Sequence, residues 1–156
     1  MSEDVVIEEA REASAALLAD LNALVPQLSS SAPPLTAAAL TELLAREGTT
    51  VFLARLGERA VGTLTLVEFA IPTGRRAWIE DVVVDVAARQ RGVADQLTRA
   101  ALARAAAHGA RQVDLTSRPS REAANALYQK LGFVRRDTNV YRFFIESSAN
   151  TSSNKV

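Results

Sequence analysis

Hydrophobic positions change period along the chain, and each change marks a predicted element. Val5 to Ile7 reads as a short first strand. From Glu9 to about Val25, Ala, Leu and Val recur at helical spacing, with Leu17, Leu21 and Leu24 on one face. Pro26 and the stretch from Ser29 to Pro34 then break the pattern. Thr36 is placed to cap a second helix that carries Leu40, Leu43 and Leu44 and ends at Gly48. Thr50 to Leu56 and Arg59 to Ala70 read as two strands joined by the short turn Gly57-Glu58.

The second half continues in the same alternation of elements. After the loop Pro72-Thr73-Gly74, the segment from Trp78 to Asp85 has the β-branched run of a central strand. A long Ala- and Leu-rich helix follows from Gly92 to His108, stopped by Gly109, and then a strand from Gln112 to Thr116. Ser120 can cap a helix from Arg121 to Leu131, with Gly132 placed to end it. Phe133 to Arg136 and Val140 to Ile145 read as a final hairpin, and residues 147–156 as a disordered polar tail. The pattern predicts one α/β domain (α+β by some schemes) over residues 1–146. Its mixed central sheet has six to seven strands and about four flanking helices.

Bulk properties narrow the chemistry. The chain has 156 residues, 48% apolar and 23% charged, a composition that buries a core rather than staying disordered. No apolar run reaches the roughly 20 residues of a membrane span, and the acidic start MSEDVVIEEA does not read as a secretory signal. With no Cys and one His, neither a thiolate nor a zinc site is expected, and the expected location is cytoplasmic. Residues 1–60 hold 4 basic and 9 acidic side chains, a balance of −5; residues 61–156 hold 14 and 9, a balance of +5. The second half therefore suits an anionic ligand. Its basic residues are dispersed and aromatics are only 5%, which favours a phosphorylated small molecule over nucleic acid.

The informative segment is VVVDVAARQRGVADQL, a strand, a loop and a helix start. Small residues at Gly92 and Ala94 let an anion approach the backbone, where free N–H groups and the helix dipole favour it. Arg89 and Arg91 add charge at the same mouth. Spacing alone also allows a plain solvated turn before an ordinary helix. No GxxxxGK[ST] and no GxGxxG is present, so neither of those phosphate loops applies. Further on, Arg121, Asn125 and Tyr128 share one helical face. Tyr128 is a candidate proton donor and equally a candidate core anchor.

At these residues the chain resembles the GNAT superfamily of acetyl-CoA-dependent N-acetyltransferases. The loop R89-Q-R-G92-V-A94 is similar to that family's pattern of Arg or Gln, two residues, Gly, one residue, then Gly or Ala. A126-L-Y-Q-K-L-G-F133 is similar to its LYxKLGF signature, and IEDVVVD stands where its cofactor-binding strand should. The resemblance covers about residues 5–145. Three positions depart from it: Val86 where Pro is frequent, Gln90 where Gly is commonest, and Arg121 where Asn is frequent.

The resemblance implies acetyl-CoA as co-substrate, no metal, and an amine acceptor. Val82, Val83 and Val84 would pair with the pantetheine arm, entering a splayed gap before the strand from Gln112. The loop Arg89, Gln90, Arg91, Gly92, Val93 and Ala94 would hold the pyrophosphate, with Arg121 and Asn125 nearby. Tyr128 would protonate the departing thiolate. Glu80, ahead of Asp81, is the expected base, sharing a strand face with Trp78 and Val82 and standing just before a buried run. An exposed strand end is the plainer account of the same acids. His108, at a helix end where a cation is favoured, reads as structural or solvated. Two other classes stay open: a non-catalytic acyl-CoA sensor or partner-binding module, and a nucleic-acid-binding module using the basic half. Nucleic acid and membrane are not expected partners. Homodimers are common in the family, and no segment here identifies an interface.

Overall fold

The computed structural model describes residues 4–146, so the tail predicted at 147–156 lies outside the described residues. The elements run β1 (Val5–Glu9), α1 (Ala15–Leu28), α2 (Ala37–Ala45), β2 (Thr49–Leu56), β3 (Arg59–Ile71), β4 (Gly74–Val84), α3 (Val93–Ala107), β5 (Val113–Asp114) and α4 (Glu122–Lys130). One turn of 3-10 helix, Val86–Ala88, lies between β4 and α3. The strands form one sheet in the order β1-β2-β3-β4-β5, antiparallel except for the parallel β4–β5 pair.

Helices cover both faces, because every inner strand is apolar on both sides. On one face Leu17 and Leu21 of α1 and Leu40 of α2 pack with Val51 and Leu53 of β2. On the other, Phe52, Leu64, Leu66 and Ile79 meet Val93, Leu97, Ala101 and Ala105 of α3. Those α3 positions are four apart, and the two Ala let the helix lie close to the sheet. The approach is tight at Gly62, where an added Cβ would stand 2.8 Å from Val93 Cγ1, 3.2 Å from Leu97 Cδ1 and 3.2 Å from the Val83 carbonyl.

Several boundaries differ from the sequence expectation. Glu9 belongs to β1, and α1 starts six residues later, where the Ser14 hydroxyl accepts from the Leu17 N–H at 3.1 Å. Pro26 sits inside the last turns of α1 instead of ending it, at the cost of one backbone hydrogen bond. Thr36 caps α2 as expected, accepting from the Ala39 N–H at 3.1 Å. Ser120 caps nothing, since α4 begins after Arg121 with no side-chain cap. The sheet has five strands among the described residues, not six to seven. The missing two are the final hairpin: residues 133–146 form no strand. Their alternation is that of strands, but a strand needs a paired edge, and none reaches them here.

Gly62→Ala should lower stability by about 1–3 kcal/mol, the usual cost of forcing extra volume into a packed core. Urea titration checks this, and an unchanged midpoint would mean that α3 does not press on β3 as closely as these distances require.

Candidate active site

The decisive local feature is one extra residue in β4. Register with β3 runs Leu66↔Ile79 and Thr65↔Glu80, then resumes at Thr63↔Val83 and Gly62↔Val84. Asp81 and Val82 therefore both oppose Leu64, a bulge, and Asp81 takes a left-handed backbone at φ 48°. Asp tolerates that conformation better than a β-branched residue would.

The bulge resets side-chain alternation. Val82 and Val84 pack on the α3 core, while the buried Val83 turns to the face that carries Trp78 and Glu80. This corrects the expectation that Glu80 shares its face with Val82, which assumed an unbroken period of two. Glu80 and Asp81 are both exposed, so neither charge bears a burial penalty. That removes one of the reasons for suspecting them.

The same point of the sheet opens a gap. β4 pairs with β5 only at Ala77↔Val113 and Trp78↔Asp114, with a further bond from the Ala77 N–H to the Gln112 carbonyl at 3.2 Å. Beyond Trp78 both chains continue without pairing, and β4 from Ile79 to Val84 has β3 on one side only. Its other edge is a row of backbone groups available to an extended ligand. Ser117, three residues past β5, has a buried hydroxyl with no hydrogen-bond partner among the described residues. Sequence reasoning passed over Ser117. Its only signal was a small polar residue directly after a strand.

The free edge leads into the phosphate-type loop. Asp85 fixes the turn: its carboxylate accepts from the Ala87 N–H at 2.9 Å and from Arg59 Nη2 at 2.6 Å. The backbone bond first, and Arg59 second, hold its carboxyl below the usual range. Gln27 Oε1 accepts from the Val86 N–H at 3.0 Å, tying the end of α1 to the same turn. Gln90 is left-handed at φ 63°, where the family's commoner Gly would be unstrained. Gly92, at φ 75°, precedes α3 with no side-chain cap, and apart from its own chain neighbours no atom of the described residues lies within 4 Å of where its Cβ would be. The first α3 hydrogen bond runs from the Gln96 N–H to the Gly92 carbonyl, at 3.1 Å. Among the described residues the N–H groups of the first turn thus have no helical or side-chain acceptor.

Around that uncapped start Arg89, Gln90, Arg91 and Gly92 are exposed, and Ala94 is half-buried. Val93 differs from the others. Its side chain is 2% exposed in the core, so only its N–H can serve a ligand. Asp95 lies in the same first turn, with its carboxylate held by Arg99 Nε at 2.6 Å.

On α4, Tyr128 is 8% exposed, its ring edge-on to Phe133 at 5.7 Å and 65°. Burial raises its pKa above 10.0, with Arg121 pulling weakly the other way, so the hydroxyl is protonated at neutral pH. Asn125 Nδ2 donates to the Arg118 carbonyl at 2.9 Å, shaping the loop before α4. Arg121 is exposed. His108 ends α3 and meets both oxygens of the nearly buried Glu68 carboxylate at 3.1 Å. That pair lies on a cavity of about 720 Å3, with Arg46, Gly48, Arg75 and Arg104. It is at the opposite end of α3 from the loop, where the helix dipole repels anions.

Comparison with known proteins gives the family and the fold. The model of the acetyltransferase (GNAT) family matches residues 17–133. Glucosamine 6-phosphate N-acetyltransferase 1 of Oryza sativa subsp. japonica is 34% identical over 131 residues, covering 78% of this chain and 77% of its own. A candidate acetyltransferase from Agrobacterium tumefaciens str. C58 is 30% identical with a TM-score of 0.79, covering 91% of this chain and 99% of that one. An aminoglycoside N-acetyltransferase in complex with CoA has the same fold at 21% identity, TM-score 0.78, covering 92% of this chain and 97% of its own.

Family match and fold together define an acyltransferase that draws on acetyl-CoA. The chain belongs to the acetyltransferase (GNAT) family. It is an N-acetyltransferase, moving an acetyl group from acetyl-CoA to an amine.

Asp85→Asn keeps a capping oxygen but removes the charge. A carboxyl with a lowered folded-state pKa stabilises above its ordinary value of 3.8 and loses that contribution as pH falls through the folded value. The variant should therefore be less stable at pH 7, and the gap to wild type should close on acidification below about 3.8. Thermal melts across pH check the sign, and a gap that widens in acid contradicts it.

Proposed function

We propose that acetyl transfer here is direct, from the thioester to a bound primary amine, in the gap between β4 and β5. One observation carries the reading: the unpaired edge of β4 runs straight into the uncapped start of α3. A ligand that offers amide groups followed by a pyrophosphate matches that sequence of donors and acceptors. The pantetheine arm pairs with the backbone of Val82, Val83 and Val84, and the pyrophosphate takes the N–H groups from Arg91 to Ala94, with Arg89 and Arg91 adding charge. The Ser117 hydroxyl, buried without a partner, serves a polar group of the ligand in the same gap.

The amine nitrogen attacks the thioester carbonyl, the C–S bond breaks, and the ammonium proton leaves through Glu80 to solvent. Being exposed, Glu80 acts through water, with Asp81 beside it as the alternative. A β4 backbone N–H next to the bulge stabilises the oxyanion. Tyr128, protonated and close to the end of α4, returns a proton to the CoA thiolate. The similarity to an amino-sugar acetyltransferase supports an amino sugar as acceptor class.

A screen of amino sugars, amino acids, polyamines and peptides with acetyl-CoA, read by CoA release, tests the function. Fastest turnover on an amino sugar is expected. Tight acetyl-CoA binding with no release on any amine would leave a sensor.

Two substitutions test the roles. Glu80→Gln should lower kcat and recover part of it at higher pH, where the amine deprotonates unaided. A pH–rate profile identical to wild type moves the base elsewhere. Tyr128→Phe keeps the ring against Phe133 and should lower kcat at least about tenfold, roughly 1.4 kcal/mol of barrier, with little change in acetyl-CoA affinity or Tm. An unchanged kcat under conditions where chemistry limits turnover would leave Tyr128 as an anchor.

A further inference from the structure

One hydrogen bond joins the two faces of the sheet at the end where the phosphate-type loop stands. Between β4 and α3 the chain makes a turn whose backbone donors are met close by. The Asp85 N–H donates to the Val61 carbonyl at 2.8 Å, the Ala87 N–H to the Asp85 carboxylate at 2.9 Å, and the Ala88 N–H to the Asp85 carbonyl at 2.8 Å. Val86 differs: its N–H donates to Gln27 Oε1 of α1 at 3.0 Å. α1 packs on one face of the sheet and α3 on the other, so this bond passes around the sheet's end.

Both partners are prepared for the bond. Gln27 follows Pro26, whose fixed φ stiffens the last turn of α1. Only the oxygen end of an amide can meet an N–H donor, and Gln27 Nε2 is turned back to the Ala23 carbonyl of its own helix at 3.5 Å. The Val86 side chain is 62% exposed, so packing does not hold the turn at that residue. Val86 is also one of the three departures in the sequence, and Pro in its place would have no N–H to donate. The backbone would accept Pro. Asp85 before it is extended at ψ 131°, and a 3-10 turn has the φ of about −60° that proline carries. Such a turn can be held by a ring that restricts φ or by an acceptor for the free N–H. This chain uses the second.

We propose that Gln27 is a positioning residue for acetyl-CoA. Through the Val86 N–H it holds the turn Val86–Ala88, and with it the loop Arg89–Ala94, against α1. It acts without touching the cofactor or the acceptor. The loop needs such a hold, because Arg89 to Gly92 are exposed and both Gln90 and Gly92 are left-handed. N–H donors bind an anion best when their arrangement is set beforehand. With the bond made, α1 and the cofactor loop move as one body; without it the loop rests on Asp85 and the buried Ala88. The inference rests on the placement of the pyrophosphate at that loop.

Gln27→Ala should weaken acetyl-CoA binding about threefold to tenfold by calorimetry, the effect of one net hydrogen bond, with little change in Tm or in kcat at saturating acetyl-CoA. Gln27→Met has similar length but no oxygen, and should do the same. Without ligand, hydrogen–deuterium exchange at residues 86–91 should quicken in both variants. A double-mutant cycle then isolates the bond. In a Val86→Pro background, where no N–H remains, Gln27→Ala should change affinity less than about twofold. An equal loss in both backgrounds overturns the proposal, as does wild-type affinity in Gln27→Ala and Gln27→Met. Exchange that quickens at residues 86–91 while affinity stays unchanged overturns it too. Protection of residues 91–95 by acetyl-CoA in the wild type reads the ligand's placement separately, so failure of that placement and failure of the Gln27 role are told apart.

Discussion

The structure turns on one residue of excess in β4. Because Asp81 and Val82 together oppose Leu64, β4 bends and changes face at that point. A strand that bends away cannot keep pace with its other neighbour, and pairing with β5 ends three residues before the bulge. The gap and the reassignment of Val82, Val83 and Val84 are thus both tied to one irregularity. Its cost is a left-handed Asp81, a strain that the surrounding β3 pairing and the α3 core hold in place.

The second constraint is the tight meeting of α3 and β3. Gly62, Val93 and Leu97 set how close the helix comes, and thereby where its first turn stands relative to the end of β4. Asp85 and Gln27 anchor the short connection from both sides. Three of its residues, from Arg89 to Arg91, are exposed, and two positions, Gln90 and Gly92, are left-handed. The uncapped helix start is stable because everything around it is fastened.

Much of this was legible in the sequence. The loop R89-Q-R-G92-V-A94 and the segment A126-L-Y-Q-K-L-G-F133 identified the family, and the helical faces of Leu17, Leu21 and Leu24 were read correctly. The bulge was not legible, because IEDVVVD looks like an unbroken strand and a period-two reading cannot register an inserted residue. Val93 was hidden for a related reason: it belongs to a ligand motif by sequence and to the core by packing. The final hairpin was predicted from a sound alternation, yet pairing depends on an edge that local sequence does not supply. Ser117 gave almost no signal, since its interest lies in what its hydroxyl lacks.

The assignment of the β4 edge and the α3 start as one site rests on where acetyl-CoA binds. Hydrogen–deuterium exchange of the full chain, with and without acetyl-CoA, reads backbone N–H groups directly and needs no acceptor. The ligand should slow exchange at residues 82–84 and 91–95. Protection confined to the cavity around Gly48, Glu68 and His108, with residues 82–84 and 91–95 unchanged, would contradict the account.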